Sequence, residues 1–436
     1  MAVGYRVCGG IVIGLRYHGA EGASQLLYIF KLNAESIPNM ANYIESGGRL
    51  WRVLVVHNRY QHAGGEDSVV ASEIDLLRSY GHTVKRYDRD NSEVESLGKV
   101  SLAAQTVWSR RTTRDLARDF LEFRPDVVHV HNTFPLISPS VYWLANRQRV
   151  PVVQTIHNFR LLCLQAMFLR NGHVCEDCIG HSLWRGVVRK CYRGSYLASA
   201  AAGFAMQVHR FAGTFRDKIN MYVALNSFCR DKLVAGGLPA NRIRIKPNFI
   251  ASLPVGPEER TGNPLFVGRL SEEKGVGLLA NVARHLGART VIDVVGSGPQ
   301  AGELSGVAGL RMLGAQPPER VYELMRNAPF LIMPSIWYEN MPRTLVEAYA
   351  CGTPVIASRL GALAELVDHR VSGLLFSSGS GDELARMAEW AISHPQEMRI
   401  MGKAARRIYE FNYTPEANYE MLTAIYADAL HDRQIG

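Results

Sequence analysis

The chain has 436 residues, a length that favours two cores of about 200 residues each over one. Its formal net charge is +9, and the stretch 101–220, with 16 Lys and Arg against 7 Asp and Glu, carries an excess of the same size; nucleic acid, an anionic membrane surface and an anionic substrate all suit such an excess, so charge alone excludes none of them. Seven cysteines are too few for a disulfide scaffold, and the apolar runs at 7–15 and 197–208 fall short of the ~20 residues that span a bilayer, which points to a protein of the reducing cytoplasm without a transmembrane anchor.

A single Arg6 precedes the first apolar run and no clean A-x-A site follows it, so residues 1–50 read as a poorly ordered N-terminal extension rather than a secretory signal, with Met40 an internal candidate start. From Arg52 onward, short β-branched runs alternate with amphipathic helical patterns, as expected of parallel sheets covered on both faces. In the first half strands are expected over 53–56, 127–130 and 152–156, and a helix over 68–80 carries Val69, Val70, Ile74 and Leu77 on one face. A linker rich in Pro, Gly and charge is placed at 247–263, and strands are then expected over 265–267, 291–295, 330–333 and 354–357. The expectation is an N-terminal domain over 51–250 with an insert over about 160–195, and a C-terminal domain over 251–436 whose last helix packs back on the first. Doubly wound sheets bind ligands at the carboxyl ends of their strands. Gly64-Gly65, His157, Gly268-Arg269, Gly296-Ser297-Gly298 and Glu339 all follow predicted strands or lie in the loops after them.

Glu339 and Glu347 flank the start and body of a helix expected from about Pro342, which suits a first turn, to Ala350, before Gly352. One carboxylate at the helix mouth and one about two turns further on could take the paired hydroxyls of a sugar, beside free amides that suit a phosphate. Taken alone the pair could equally be a solvated Glu339 and a helix-stabilising Glu347. Arg269 and Lys274 bring two cations to the start of the same domain, where they could stabilise a departing diphosphate without a metal. By themselves they could be surface charges.

Together, Gly268-Arg269-Leu270-x3-Lys274-Gly275, Val295-Gly296-Ser297-Gly298-Pro299, Glu339-x7-Glu347 and Gly352-Thr-Pro-Val-Ile-Ala-Ser358 resemble, in order and spacing, the retaining glycosyltransferases of family 4. The resemblance covers about 52–427 and implies an α/β chain of the GT-B fold, two Rossmann-like doubly wound domains facing a central cleft. It implies that Arg269 and Lys274 hold the donor diphosphate, Glu347 the ribose and Glu339 the transferred sugar, with Asn340 and Met341 beside it and Gly296, Ser297 and Gly298 at the nucleobase. Asn340 departs from the family, many members having Gly there. Gly64-Gly65-Glu66 looks like the family's glycine loop, and His157 stands where similar enzymes reach the donor sugar with a histidine; His57, His129 and His131, which also end strands, are expected to be supporting residues. The family's retention runs on one face of the sugar, the leaving phosphate taking the acceptor's proton, so no protein nucleophile is required; Glu66 or Asp67 would be the first suspects for one.

Four cysteines follow His157, namely Cys163, Cys175, Cys178 and Cys191, spaced x11, x2 and x12. A structural zinc is one reading, and buried thiols or a redox pair are the others. Arg160, Arg170, Arg185, Arg189, Lys190 and Arg193 surround them, a basic lobe suited to the diphosphate of a polyprenyl-linked acceptor or to anionic lipid. The expected function is transfer of a hexose from a UDP- or GDP-sugar to a saccharide or lipid-linked saccharide of the cell surface, by a cytoplasmic enzyme peripheral to the inner face of the membrane, with no cofactor required for catalysis. The alternative is a catalytically silent nucleotide-sugar-binding module of the same fold. The chain has neither the aromatic platform nor the helix-turn-helix of a nucleic-acid binder, and no G-x-G-x-x-G of a dinucleotide site after its first strand.

Overall fold

The computed structural model describes residues 49–61, 64–287 and 290–435, with the backbone of 3–8 and 11–16. Strands β1 (Val3–Cys8) and β2 (Ile11–Arg16) pair antiparallel as a ribbon ahead of the first predicted strand. The other residues before Arg49 lie outside the described residues, and most of the expected extension lies there with them.

The N-terminal sheet is built from β3 (Arg52–Arg59), β4 (Thr83–Asp90), β5 (Val127–Asn132) and β6 (Val152–Thr155); after a small hairpin, β7 (Leu169–Arg170) and β8 (His173–Val174), it is completed by β9 (Met221–Ala224) and β10 (Ile243–Ile245). All six strands run parallel in the order β10-β9-β6-β5-β3-β4. Both faces are covered, so β3 needs an unbroken apolar run. Val53 and Val55 pack under helix Gly65–Ser79 and helix Pro415–Ile435, through Val70, Ile74, Leu77, Leu422, Ile425 and Tyr426, while Leu54 and Val56 enter the opposite core. The last helix of the chain thus crosses back to close the first sheet.

The C-terminal sheet comprises β11 (Leu265–Val267), β12 (Ile292–Val295), β13 (Leu310–Gly314), β14 (Leu331–Met333), β15 (Val355–Ser358) and β16 (Gly373–Phe376), all parallel in the order β13-β12-β11-β14-β15-β16. Strand order reverses between β11 and β14 in this sheet and between β3 and β5 in the other. At each reversal the loops leaving the strand ends diverge and open a crevice. One crevice carries the Gly268 and Glu339 loops, the other the Gly65 and His131 loops, and the two face each other.

Candidate active site

On the C-terminal side, Pro342 caps helix Arg343–Ala350, and the chain before it brings Glu339 back over Lys274. Lys274 Nζ donates to Glu339 Oε1 at 2.6 Å, and Ser335 Oγ donates to the same oxygen at 2.7 Å. Glu339 is buried, and the Trp337 ring lies 5.4 Å from the ammonium. Gly275 permits this approach: it sits at φ +66°, and a Cβ there would meet the Pro334 carbonyl oxygen at 2.0 Å. One helical turn separates Arg343 from Glu347, whose side chains pair at 3.5 Å. Burial pushes the Glu347 carboxyl up, against the pull of Arg343 and the Tyr322 hydroxyl.

Arg269 is exposed and lines the cleft next to Gly268. Gly296, Ser297 and Gly298 lie one layer behind, where Leu270 N–H donates to Ser297 O at 2.9 Å and Gly268 N–H to Val295 O at 3.0 Å. A Cβ on Gly296, at φ +135°, would strike the Gly268 carbonyl oxygen at 1.8 Å. These glycines therefore let two loops touch and fix the path of Gly268-Arg269.

On the N-terminal side, Gly65 opens its helix at the cleft, its Cα hydrogens facing the Arg343 side chain of the other domain, while Gly64 is exposed and serves as the N-cap. Asp67 accepts from Gly64 N–H at 3.0 Å and bonds His57 Nε2 at 2.8 Å, so it is committed to the loop's own architecture. Glu66 lies in the cleft with Tyr60 OH donating to it at 3.0 Å; burial lifts its carboxyl to about 8. A carboxyl mostly protonated at neutral pH is a poor nucleophile.

His157 lines the same cleft, and its Nε2 bonds His131 Nδ1 at 2.9 Å. His131 Nε2 in turn faces Glu73 Oε2 at 3.7 Å, and Glu73 is paired with the wholly buried Lys246. His129 bonds Tyr426 OH and Thr155 Oγ1, both at 2.8 Å. Burial first, then the neighbouring imidazoles and Lys246, hold the His131 and His157 rings well below the ordinary histidine range; His129 is brought to about 4. Between two neutral rings one nitrogen donates and the other accepts; with the His131 proton on Nε2, which makes no hydrogen bond and lies 3.7 Å from Glu73, His157 Nε2 donates and its Nδ1 keeps its lone pair. Among the described residues, Glu73, His129 and His131 bring three potential metal ligands within 4.8 Å, but the Lys246 ammonium already neutralises Glu73, and the group is an ion-pair network rather than a cation site.

Asn340 joins the two sides. Its Nδ2 donates to Ile156 O at 2.8 Å, across the domains and next to His157, and its own carbonyl accepts from Asn226 Nδ2. Asn248 Nδ2 supports the next residue, donating to Met341 O at 3.0 Å. The asparagine that departs from the family thus supplies a cross-domain bond that glycine could not. The resulting cleft has a volume of about 360 Å3 and gathers His157, Arg269, Lys274, Glu339, Asn340 and Met341. Glu347, buried one turn into its helix, stands behind Arg343. Arg343, Asn248 and Asn226 had no part in the sequence reading; only Arg343 carried a signal, its i,i+4 spacing to Glu347.

Beyond His157 a smaller pocket of about 60 Å3, lined by Phe134, Tyr142, Arg160 and Met206, enters the N-terminal domain. The four cysteines lie further along the same insert and line one cavity together.

Two family models match the chain: the glycosyl transferase 4-like domain over residues 51–248 and glycosyl transferases group 1 over residues 257–408. Among curated relatives, D-inositol 3-phosphate glycosyltransferase of Segniliparus rotundus is 31% identical over 324 residues, covering 71% of this chain and 67% of its own. Amylovoran biosynthesis glycosyltransferase AmsK of Erwinia amylovora is 25% identical over 225 residues, 47% of this chain and 55% of its own. Among solved structures, HepE of Anabaena in complex with UDP superposes with a TM-score of 0.61 at 16% identity, over 85% of this chain and 98% of that one. Sucrose-phosphate synthase of Thermosynechococcus elongatus gives 0.62 at 17%, over 86% and 97%. Identities this low speak for the fold, which is GT-B.

The histidine cluster makes the molecule acid-sensitive. Unfolded histidines take protons below about pH 6.5, whereas His57, His129, His131 and His157 in the folded chain resist them, so stability is full above that pH and falls as pH drops toward 4. Glu66 and Glu347, whose folded carboxyls keep their protons above the unfolded range, run the other way and offset part of the loss. Each resisting group costs about 1.4 kcal/mol per pH unit, so between pH 6.5 and 5 a net loss of roughly 1–3 kcal/mol per unit is expected. Melting curves across that window should shift steadily downward; a flat or rising profile would mean that the cluster is charged in the folded state.

Proposed function

The chain belongs to the group 1 glycosyl transferases, with a glycosyl transferase 4-like N-terminal domain, and from that premise we propose that it is a retaining hexosyltransferase. Its donor is a UDP- or GDP-sugar and its acceptor a saccharide or polyprenyl-diphosphate-linked saccharide in cell-surface polysaccharide synthesis. The observation that carries this reading is the Lys274–Glu339 pair at the mouth of helix Arg343–Ala350, set across one cleft from His157. The HepE structure holds UDP, and AmsK is named for a polysaccharide, which supports the donor class and the role.

In this reading the helix's first amides, Lys274 and Arg269 hold the diphosphate, and Arg343 and Glu347 the nucleoside end. As the bond from the anomeric carbon to the diphosphate oxygen breaks, negative charge grows against Lys274 and Arg269, which are in place before the step and need little reorganisation. The acceptor hydroxyl attacks from the face being vacated and passes its proton to the departing phosphate oxygen. Glu339 orients Lys274 and offers its second oxygen to the sugar's hydroxyls. His157 Nδ1 accepts from another hydroxyl, and the Ile156 carbonyl, held by Asn340, adds a fixed dipole to the N-terminal wall. Catalysis in this scheme requires no metal.

The acceptor side bears a surface suited to the membrane. Helix Tyr196–Phe211 exposes Leu197, Phe204 and Phe211 at 78%, 64% and 94%, seven residues apart and therefore on one stripe. Trp184 and Arg185, on the preceding helix Trp184–Val188, and Lys190 and Arg193, in the turn between the two helices, are exposed as well. Apolar side chains amid basic ones match the interface of an anionic leaflet, and no helix among the described residues is long and apolar enough to cross a membrane. We place the enzyme peripherally on the inner face.

Three outcomes are expected. Glu347→Ala should weaken binding of UDP or GDP by roughly ten- to a hundred-fold, the loss of about 1.5–3 kcal/mol from one charged hydrogen bond, whereas Lys274→Ala should lower turnover about 10²-fold with little change in melting temperature. Calorimetry and radiolabelled transfer decide, and unchanged nucleotide affinity in Glu347→Ala would remove that residue from the donor site. For the surface, Leu197→Ser/Phe204→Ser should abolish co-sedimentation with phosphatidylglycerol vesicles and leave nucleotide affinity intact; undiminished sedimentation would refute the stripe as the membrane contact.

A further inference from the structure

The four cysteines come from three separate pieces of the insert: Cys163 follows the loop after His157, Cys175 and Cys178 follow hairpin β7–β8, and Cys191 follows helix Trp184–Val188. Backbone bonds fix three of them, with Cys163 N–H on Phe159 O at 2.8 Å, Cys175 N–H on Phe168 O at 2.8 Å and Cys191 N–H on Gly186 O at 2.9 Å. All four are free thiols, and all four border one cavity of about 10 Å3. Such a space admits about one small guest and has no room for a multi-iron cluster. Its remaining polar lining includes two guanidiniums, Arg170 and Arg189, the latter with Nη1 4.0 Å from Cys175 Sγ.

We propose that Cys163, Cys175, Cys178 and Cys191 hold one zinc ion as a closed tetrathiolate structural site. Four sulfurs suit tetrahedral zinc, and a Zn(II) ion with four thiolates carries a net charge of about −2, beside which stand Arg170 and Arg189, the latter also paired with Asp177. No three of the sulfurs lie within 4.8 Å of one another, whereas a filled site spaces them about 3.8 Å apart, so binding must draw the four side chains that line the cavity inward. Binding forms four Zn–S bonds and releases the thiol protons to solvent.

The consequence for the acceptor side follows from Arg160. Its Nη1 donates to Leu164 O at 3.0 Å, next to Cys163, and its guanidinium lies 4.3 Å from the Phe134 ring and 5.3 Å from the ring of Tyr192, next to Cys191. An ion joining Cys163 to Cys191 would therefore lock both walls that hold Arg160 beside the pocket next to His157. The ion shapes the cleft and takes no part in the transfer step.

The test is elemental analysis of the full chain purified without added metal or chelator. About one zinc per chain is expected, with X-ray absorption at the zinc edge showing four sulfur neighbours at about 2.3 Å. Cys178→Ser and Cys191→Ser should each lose most of the metal, while Cys351→Ser, in the other domain, should keep it. The absorption measurement needs no variant and stands even if the substituted chains fail to fold. Metal-free protein in which all four thiols react with a thiol reagent, a disulfide within the cluster, or zinc bound by nitrogen and oxygen alone would each overturn the site.

Discussion

A lysine ammonium with no exposure to water must be paired, and Lys246 meets that constraint with Glu73 and with Asn418 Oδ1 at 3.3 Å. Three distant segments depend on this one point. Glu73 lies on the helix that begins at the glycine loop, Lys246 ends the N-terminal domain, and Asn418 belongs to the last helix, whose Nδ2 also donates to Pro247 O at 2.7 Å. Breaking the pair would leave a buried charge uncompensated, at a cost of about 3–5 kcal/mol. The same carboxylate lies 3.7 Å from His131 Nε2, and His131 bonds His157, so the interaction that closes the first sheet sits directly behind the ring at the cleft.

The cleft follows from topology as much as from side chains. Each sheet reverses its strand order once, and the chain crosses between the domains twice, at the segment after Lys246 and at the last helix. With both crossings pinned near Lys246, the reversals stay opposed, and Asn340 bonds the loop ahead of helix Arg343–Ala350 directly to the end of β6. The residues proposed to hold the donor diphosphate then stand on the C-terminal wall and His157 on the other. The retaining chemistry proposed for the site draws on both walls, because the charge leaves on one side while the sugar is held from the other.

Most of this architecture was legible in the sequence where burial is two-sided. β3, β5, β11 and β14 are covered on both faces and read as apolar runs. β4, with Lys85, Arg86, Asp88 and Arg89 in an edge position, lacks that signal, and the half-exposed edge strand β13 lacks it as well. Strand β9 is buried but only four residues long and built on Met221 and Tyr222, so it too escaped notice. In the site, Lys274, Glu339 and His157 were readable from motif and spacing. The partners of Asn340 were not, because Ile156 lies 184 residues away and its carbonyl has no sequence signature. The His131–His157 bond becomes visible only once β5 and β6 are known to be neighbours. The resemblance implied a nucleobase contact for Gly296 and Gly298; what the structure shows of them is their close packing on Gly268 and Leu270.

The proposed chemistry is transfer on one face of the sugar, by a site that stabilises the leaving diphosphate without a protein nucleophile. The anomeric configuration of the product tests it most directly. The full chain would be supplied with an α-linked UDP- or GDP-hexose and a saccharide acceptor, and the new linkage assigned by proton NMR. An α-linkage, the configuration of the donor, is expected. A β-linkage would contradict it.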